Sequence, residues 1–167
     1  YYIEVLHKEG TGGDNLSVAW SGPGISATPT LIDGSRYLRP SERENIVPET
    51  CDGATGILRE TWTGISGTDL DALIDPTQNP NYPNSPSSYD TSALTEFRYA
   101  DNGDNYGARL QAYLCPPYDG DYTFWLASDD QGRLSLSSDM DPNNKTTIAS
   151  VPDWPSDQGY TRYPEEQ

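Results

Sequence analysis

Two aspartates stand side by side at Asp129 and Asp130, with Gly132 two residues on, in the run SDDQG. Neighbouring carboxylates suit a hard cation, because calcium takes oxygen ligands. They suit glycoside hydrolysis poorly. That chemistry needs two carboxyls facing each other across a cleft, one of them in apolar surroundings that raise its pKa. By spacing alone the pair also reads as a β-turn with Gly132, and Gly12-Gly13-Asp14 as a hairpin tip. Asp139, Asp141, Asn143 and Asn144 have a ladder-like spacing, but the interposed Pro142 and the lack of a following loop glutamate make them a solvated turn. The two cysteines, Cys51 and Cys115, fall at a strand start and a strand end, and a disulfide between them is expected. Closing a loop of that length stabilises by roughly 4 kcal/mol in the chain-entropy account. His7 is the sole histidine and is flanked by strand-like sequence, which argues against a thiol enzyme, and the same scarcity argues against a zinc site built on His and Cys. No catalytic residue emerges, and the chain is not expected to be an enzyme.

The elements that position these residues follow from composition. A chain of 167 residues is long enough for one domain with a full core. It carries 15 Gly, 14 Pro, 12 Tyr and 4 Trp against 2 Phe, which favours many short strands joined by turns, an all-β antiparallel sandwich. Twenty-six carboxylates against ten Lys and Arg give a net charge of -16, which repels phosphate backbones and anionic lipid, so nucleic-acid binding is excluded. The same charge suits export and concentrates hard cations. No stretch reaches the length of a membrane span, and membrane insertion is not expected. The opening YYIEVLHKEG lacks a charged and then apolar leader, giving the expectation of an extracellular chain whose export signal has been removed.

Along the chain, residues 1–20 read as a hairpin. Tyr1, Ile3 and Val5 lie on one face, GTGGDN turns, and Leu16, Val18 and Trp20 lie on one face of the return strand. Residues 21–50 lose periodicity, carry four prolines and read as a linker with one apolar patch at Leu31 and Ile32. Residues 51–167 form the main sandwich body. In it Ile57–Trp62 is a strand, residues 64–92 a polar surface excursion, and three strands follow in ARLQAYL, DYTFWLAS and RLSLSSD. Ile148, Val151 and Trp154 can reach a core. Trp20, Trp62, Trp125 and Trp154 are read as packing residues. Asn15 and Asn144 satisfy the glycosylation acceptor pattern.

Residues 120–154, GDYTFWLASDDQGRLSLSSDMDPNNKTTIASVPDW, resemble the central motif of the PA-fourteen (protective-antigen-type, lectin-like) domain family. Residues 1–20 resemble that family's closing hairpin, and residues 56–73 its opening strand. The resemblance implies that Asp129 and Asp130 bind calcium through a cis peptide and that Gly12, Gly13 and Asp14 complete the site. Two aspartates supply too few oxygens for calcium, so exposed backbone carbonyls and a further carboxylate are fitting partners. Remaining positions would accept water or the vicinal hydroxyls of a neutral glycan, making Asp129, Asp130 and Asp14 the carbohydrate-binding residues of an adhesin-like lectin module.

The motif order departs from the family's, because the closing hairpin comes first. Either the chain is a circularly permuted monomer, or residues 1–20 complete the sandwich of a neighbouring copy. Tyr1, Ile3, Val5, Leu16, Val18 and Trp20 would then be donated to build a fibre or tandem array, with or without sugar binding. Burying such a stripe is worth on the order of 10 kcal/mol before entropy is subtracted.

Overall fold

The computed structural model describes residues 1–34, 38–40, 56–90, 94–100 and 103–164. Among the described residues, eleven strands make two antiparallel sheets. In chain order they are β1 (Tyr2–Glu9), β2 (Asn15–Ser21), β3 (Thr30–Leu31), β4 (Leu38–Pro40), β5 (Leu58–Thr63), β6 (Ser88–Asp90), β7 (Arg98–Tyr99), β8 (Tyr106–Leu114), β9 (Thr123–Asp129), β10 (Gly132–Ser137) and β11 (Lys145–Val151). One sheet runs β11-β10-β1-β8-β5-β6, with β4 continuing along β8 beyond β5. The other holds β2 at its centre, paired to β9 on one edge and to β3 and β7 on the other. The chain is an all-β sandwich, as its composition implies.

The alternation of residues 1–20 has the expected result in the core. Ile3, Val5, Leu16, Val18 and Trp20 are all buried in the central cluster, where the register sets Val5 between Leu134 and Leu110 and Val18 against Leu126. Tyr1 stays half exposed. The two arms do not pair with each other. β1 is the middle strand of the larger sheet and β2 the middle strand of the smaller, so the GTGGDN turn arches across the sandwich. In this structure the slot between β8 and β10 is filled by the chain's own β1.

Three other segments differ from expectation. Residues 64–87 are not merely a polar excursion: a short helix α1 (Asp71–Ile74) brings Leu70 and Leu73 down on Leu6 and Trp62, covering the outer face of the larger sheet. A Cβ on Gly107 would lie 2.6 Å from Leu73 Cδ1, so that close packing requires glycine in β8. Within the expected linker, Ile32 is fully buried and Leu38–Pro40 pairs with β8, while residues 41–50 lie outside the described set. Trp20 and Trp62 are packed as expected, but Trp154 is 52% exposed beneath the Arg162 guanidinium, 4.6 Å from its ring centroid.

The outer face also carries buried charge. Glu60 accepts hydrogen bonds from Arg109 Nε (2.8 Å) and Nη2 (2.6 Å) and from Gln111 Nε2 (2.8 Å). Cys115 is buried just past β8, and Cys51 lies outside the described residues.

Candidate functional site

The site forms where β1 ends, β9 ends and β10 begins. Asp129 closes β9, the Asp129–Asp130 peptide is cis, and Gln131 leads into β10. Three neighbours hold this corner. His7 Nε2–H donates to the Asp129 carbonyl at 2.6 Å, which leaves Nδ1 to accept from the Tyr99 hydroxyl. The ring also meets Tyr99 and Tyr106 edge-on, at 5.5 and 5.6 Å. Burial holds His7 down to about 4, so it is the neutral imidazole that these two bonds require. The Asp130 amide donates to the Lys8 carbonyl, and Gly10 N–H donates to Asp130 Oδ2 at 3.0 Å. Gly132 is needed for closeness: a Cβ there would sit 2.5 Å from Ser128 Cβ.

The corner brings Glu9 against the aspartate pair. One carboxylate oxygen from each of Glu9, Asp129 and Asp130 can be chosen so that all three lie within 4.8 Å of one another. Glu9 is 1% exposed, and neither of its oxygens has a hydrogen-bond partner among the described residues. Burial first, then the charges of Asp130, Asp129 and Asp14, push its carboxyl up to about 8. Asp129 is raised to about 6, again by burial and then by Asp130, Asp14 and Asp153. Lys8 does not neutralise the cluster by direct contact. Its buried ammonium donates to the carbonyls of Glu9 (2.6 Å) and Gly67, and burial lowers it to about 8.

Such an arrangement is costly without a positive guest, since a buried carboxylate that lacks hydrogen bonds loses its hydration uncompensated. A hard dication fits the donor set, which is three convergent carboxylates and oxygen only. Of the residues expected at the site, Asp129 and Asp130 are at its centre. Asp14 is buried, receives the Tyr106 hydroxyl at 2.9 Å, and acts on Glu9 and Asp129 through its charge. Gly12 and Gly13 form the exposed arch tip. Gly12 has φ 125°, which favours glycine, and its N–H donates to Asp104 Oδ1 at 3.2 Å. The Asp139–Asn144 run is the turn its proline implied: Asp139 and Asp141 accept from the amides of Asp141 and Asn143.

Sequence reasoning passed over Glu9, His7 and Gly10. A signal existed, because His7 and Glu9 continue the odd-numbered stripe of Ile3 and Val5. Two polar residues in an inward register call for partners inside. The Asn15 sequon is buried at 8% exposure and pairs across the sheet with Asp129, so it is not a surface acceptor in the folded chain.

The fold is thus a two-sheet antiparallel sandwich with a corner where three carboxylates converge, next to the Asp129–Asp130 peptide. The sequence model of the PA14 domain matches residues 66–152, just over half of the chain, and the chain belongs to that family. Among curated proteins it is similar to fibrocystin of the dog, 28% identical over 99 residues, which is 59% of this chain and 2% of that protein. It is also similar to mouse fibrocystin, 36% identical over 53 residues, 32% of this chain and 1% of that protein. The chain therefore spans a very small part of the curated relatives it matches. No solved structure matches it.

Proposed function

We propose that this chain is a non-catalytic, extracellular carbohydrate-binding and adhesion module that works through a calcium ion held by Glu9, Asp129 and Asp130. The observation that carries the reading is the buried, unpartnered Glu9 carboxylate set against the aspartate pair. Calcium supplies positive charge there and open coordination positions. Vicinal hydroxyls of a neutral glycan suit those positions, with Asp14 tuning the charge and the Gly12-Gly13 tip on the rim. His7 and Gly10 orient the pair from behind. Family membership supports a binding role, and a disulfide between Cys115 and Cys51, as the sequence leads one to expect, would suit an exported chain. The test is a glycan array of neutral hexoses, fucose and their polymers, run with calcium and with chelator. The reading predicts at least one chelator-sensitive binder that is lost in Asp129→Asn. An array without chelator-sensitive signal contradicts the lectin role.

Self-assembly is a second reading, favoured by one observation. The family match begins at residue 66, whereas the central strands of both sheets, β1 and β2, precede it. Exchange of residues 1–20 between copies would preserve every strand pairing while linking chains into a fibre. Light scattering across a hundredfold concentration range decides it: growth in mass supports exchange, and a constant 18.4 kDa particle refutes it.

A further inference from the structure

At the opposite end of the sandwich from the carboxylate corner lies a cleft of about 520 Å³, lined by Tyr1, Tyr118, Tyr122 and Phe124 together with Asp119 and Asp121. The described lining contains no Lys or Arg, and the Tyr1 amino group is tied to the Leu114 carbonyl at 3.1 Å, with burial lowering its pKa. Phe124 and Asp129 are five residues apart on β9, so the two ends are separated by roughly 17 Å at the rise of an extended strand.

The cleft wall is built rather than incidental. Tyr122 stacks on the fully buried Trp20, ring centroids 5.3 Å apart and 24° from parallel, and its hydroxyl lies 2.9 Å from the carbonyls of both Pro23 and Tyr118. Glycines allow the 21–26 loop to press against the 116–122 loop. A Cβ on Gly22 would come within 2.4 Å of the Tyr122 ring, and one on Gly24 within 2.4 Å of the Tyr118 ring. Both glycines have positive φ, 155° and 76°. The aromatic wall is thus held in place before any ligand arrives, which lowers the ordering cost of binding.

Ring faces carry negative potential, and a desolvated organic cation gains from them more than a neutral group does. Two carboxylates and a chain of net charge -16 add a long-range pull on cations. A metal ion is poorly served, because it needs a convergent cage of oxygens, whereas methylated nitrogen needs only apolar ring surface and nearby negative charge. The volume is that of a small-molecule site. We propose that this cleft is a second binding site, independent of the carboxylate corner, for a small quaternary ammonium compound of the choline type.

The test is calorimetric titration of the intact chain with choline and, in parallel, with 3,3-dimethylbutan-1-ol, its neutral carbon isostere. Saturable choline binding is expected, about tenfold tighter than the isostere, a difference within reach of cation–π and carboxylate attraction. Tyr118 is 65% exposed, so Tyr118→Ala should fold and weaken choline binding about fivefold. Asp121→Asn should weaken it and flatten its salt dependence. Chelator and Asp129→Asn should leave it unchanged, which separates this site from the calcium reading. Equal affinity for the isostere, no saturable binding, or an unaffected Tyr118→Ala overturns the proposal.

Discussion

Replacing Glu9 by Gln should stabilise the calcium-free chain and weaken its response to calcium. Glu9 is a buried carboxylate without hydrogen bonds, among three aspartates, and its carboxyl is raised from 4.5 to about 8 in the fold. A carboxyl raised on folding contributes stability that is fully present below its unfolded value and is lost as pH rises through the folded one. The other shifted groups of the site leave a clear window. Asp129, raised to about 6, has lost its contribution below pH 6.5, and His7, held near 4, loses its contribution only as pH falls below 6.5. Lys8, lowered to about 8, changes stability only above that pH. Burial also lowers the Tyr1 ammonium from its ordinary value, which raises stability with pH over part of the same range, so between pH 6.5 and 8 in chelator Glu9→Gln should remove the falling component of the wild-type slope. Removing the buried charge should gain on the order of 1–2 kcal/mol near pH 8, once water reaching the cluster is allowed for. For a chain of this size that is a Tm rise of about 2–6 °C, read by calorimetry or circular dichroism. Calcium in excess should then raise the wild-type Tm while moving Glu9→Gln much less. A variant that is destabilised in chelator, or that gains as much from calcium as the wild type, would refute the role assigned to Glu9.

Other outcomes follow from the packing. Arg109→Ala should cost about 3 kcal/mol, because it removes the guanidinium that pairs with Glu60, a carboxylate 2% exposed on the sheet's outer face that would keep its bond from Gln111, and urea unfolding at pH 7 reads the change. Gly132→Ala should cost about 2 kcal/mol or more, since its Cβ would collide with Ser128, and it should weaken calcium binding along with stability. His7→Phe should keep the ring's place between Tyr99 and Tyr106 but lose the bond to the Asp129 carbonyl, lowering calcium affinity about tenfold with a smaller fall in Tm. Calcium titration paired with thermal melts separates the last two.

Much of this fold was legible in alternation. Ala108, Leu110, Ala112 and Leu114 on β8, and Ile3, Val5, Leu16, Val18 and Trp20 on β1 and β2, point inward as a period of two requires. Which sheet each strand joins was not, because alternation sets a strand's face and says nothing of its neighbour. The GTGGDN turn therefore reads equally as a hairpin loop and as the arch it is. The packing of Leu70 and Leu73 was hidden inside a segment rich in turn formers, where four helical residues are too few to show a period. At the site, Asp129 and Asp130 were legible through a family resemblance. Glu9 required knowing that β1 lies beside β10, a pairing between residues more than a hundred positions apart.

The most direct test of the account is calorimetric titration of calcium into the intact chain at pH 7.5, alongside Asp129→Asn/Asp130→Asn. The account predicts one calcium per chain, with an affinity in the range of extracellular modules, about 10⁻⁴ to 10⁻³ M or tighter, and none in the double variant. A wild-type chain that takes up no calcium at about ten millimolar, ten times the weak end of that range, or a double variant that binds it equally well, would contradict the central claim.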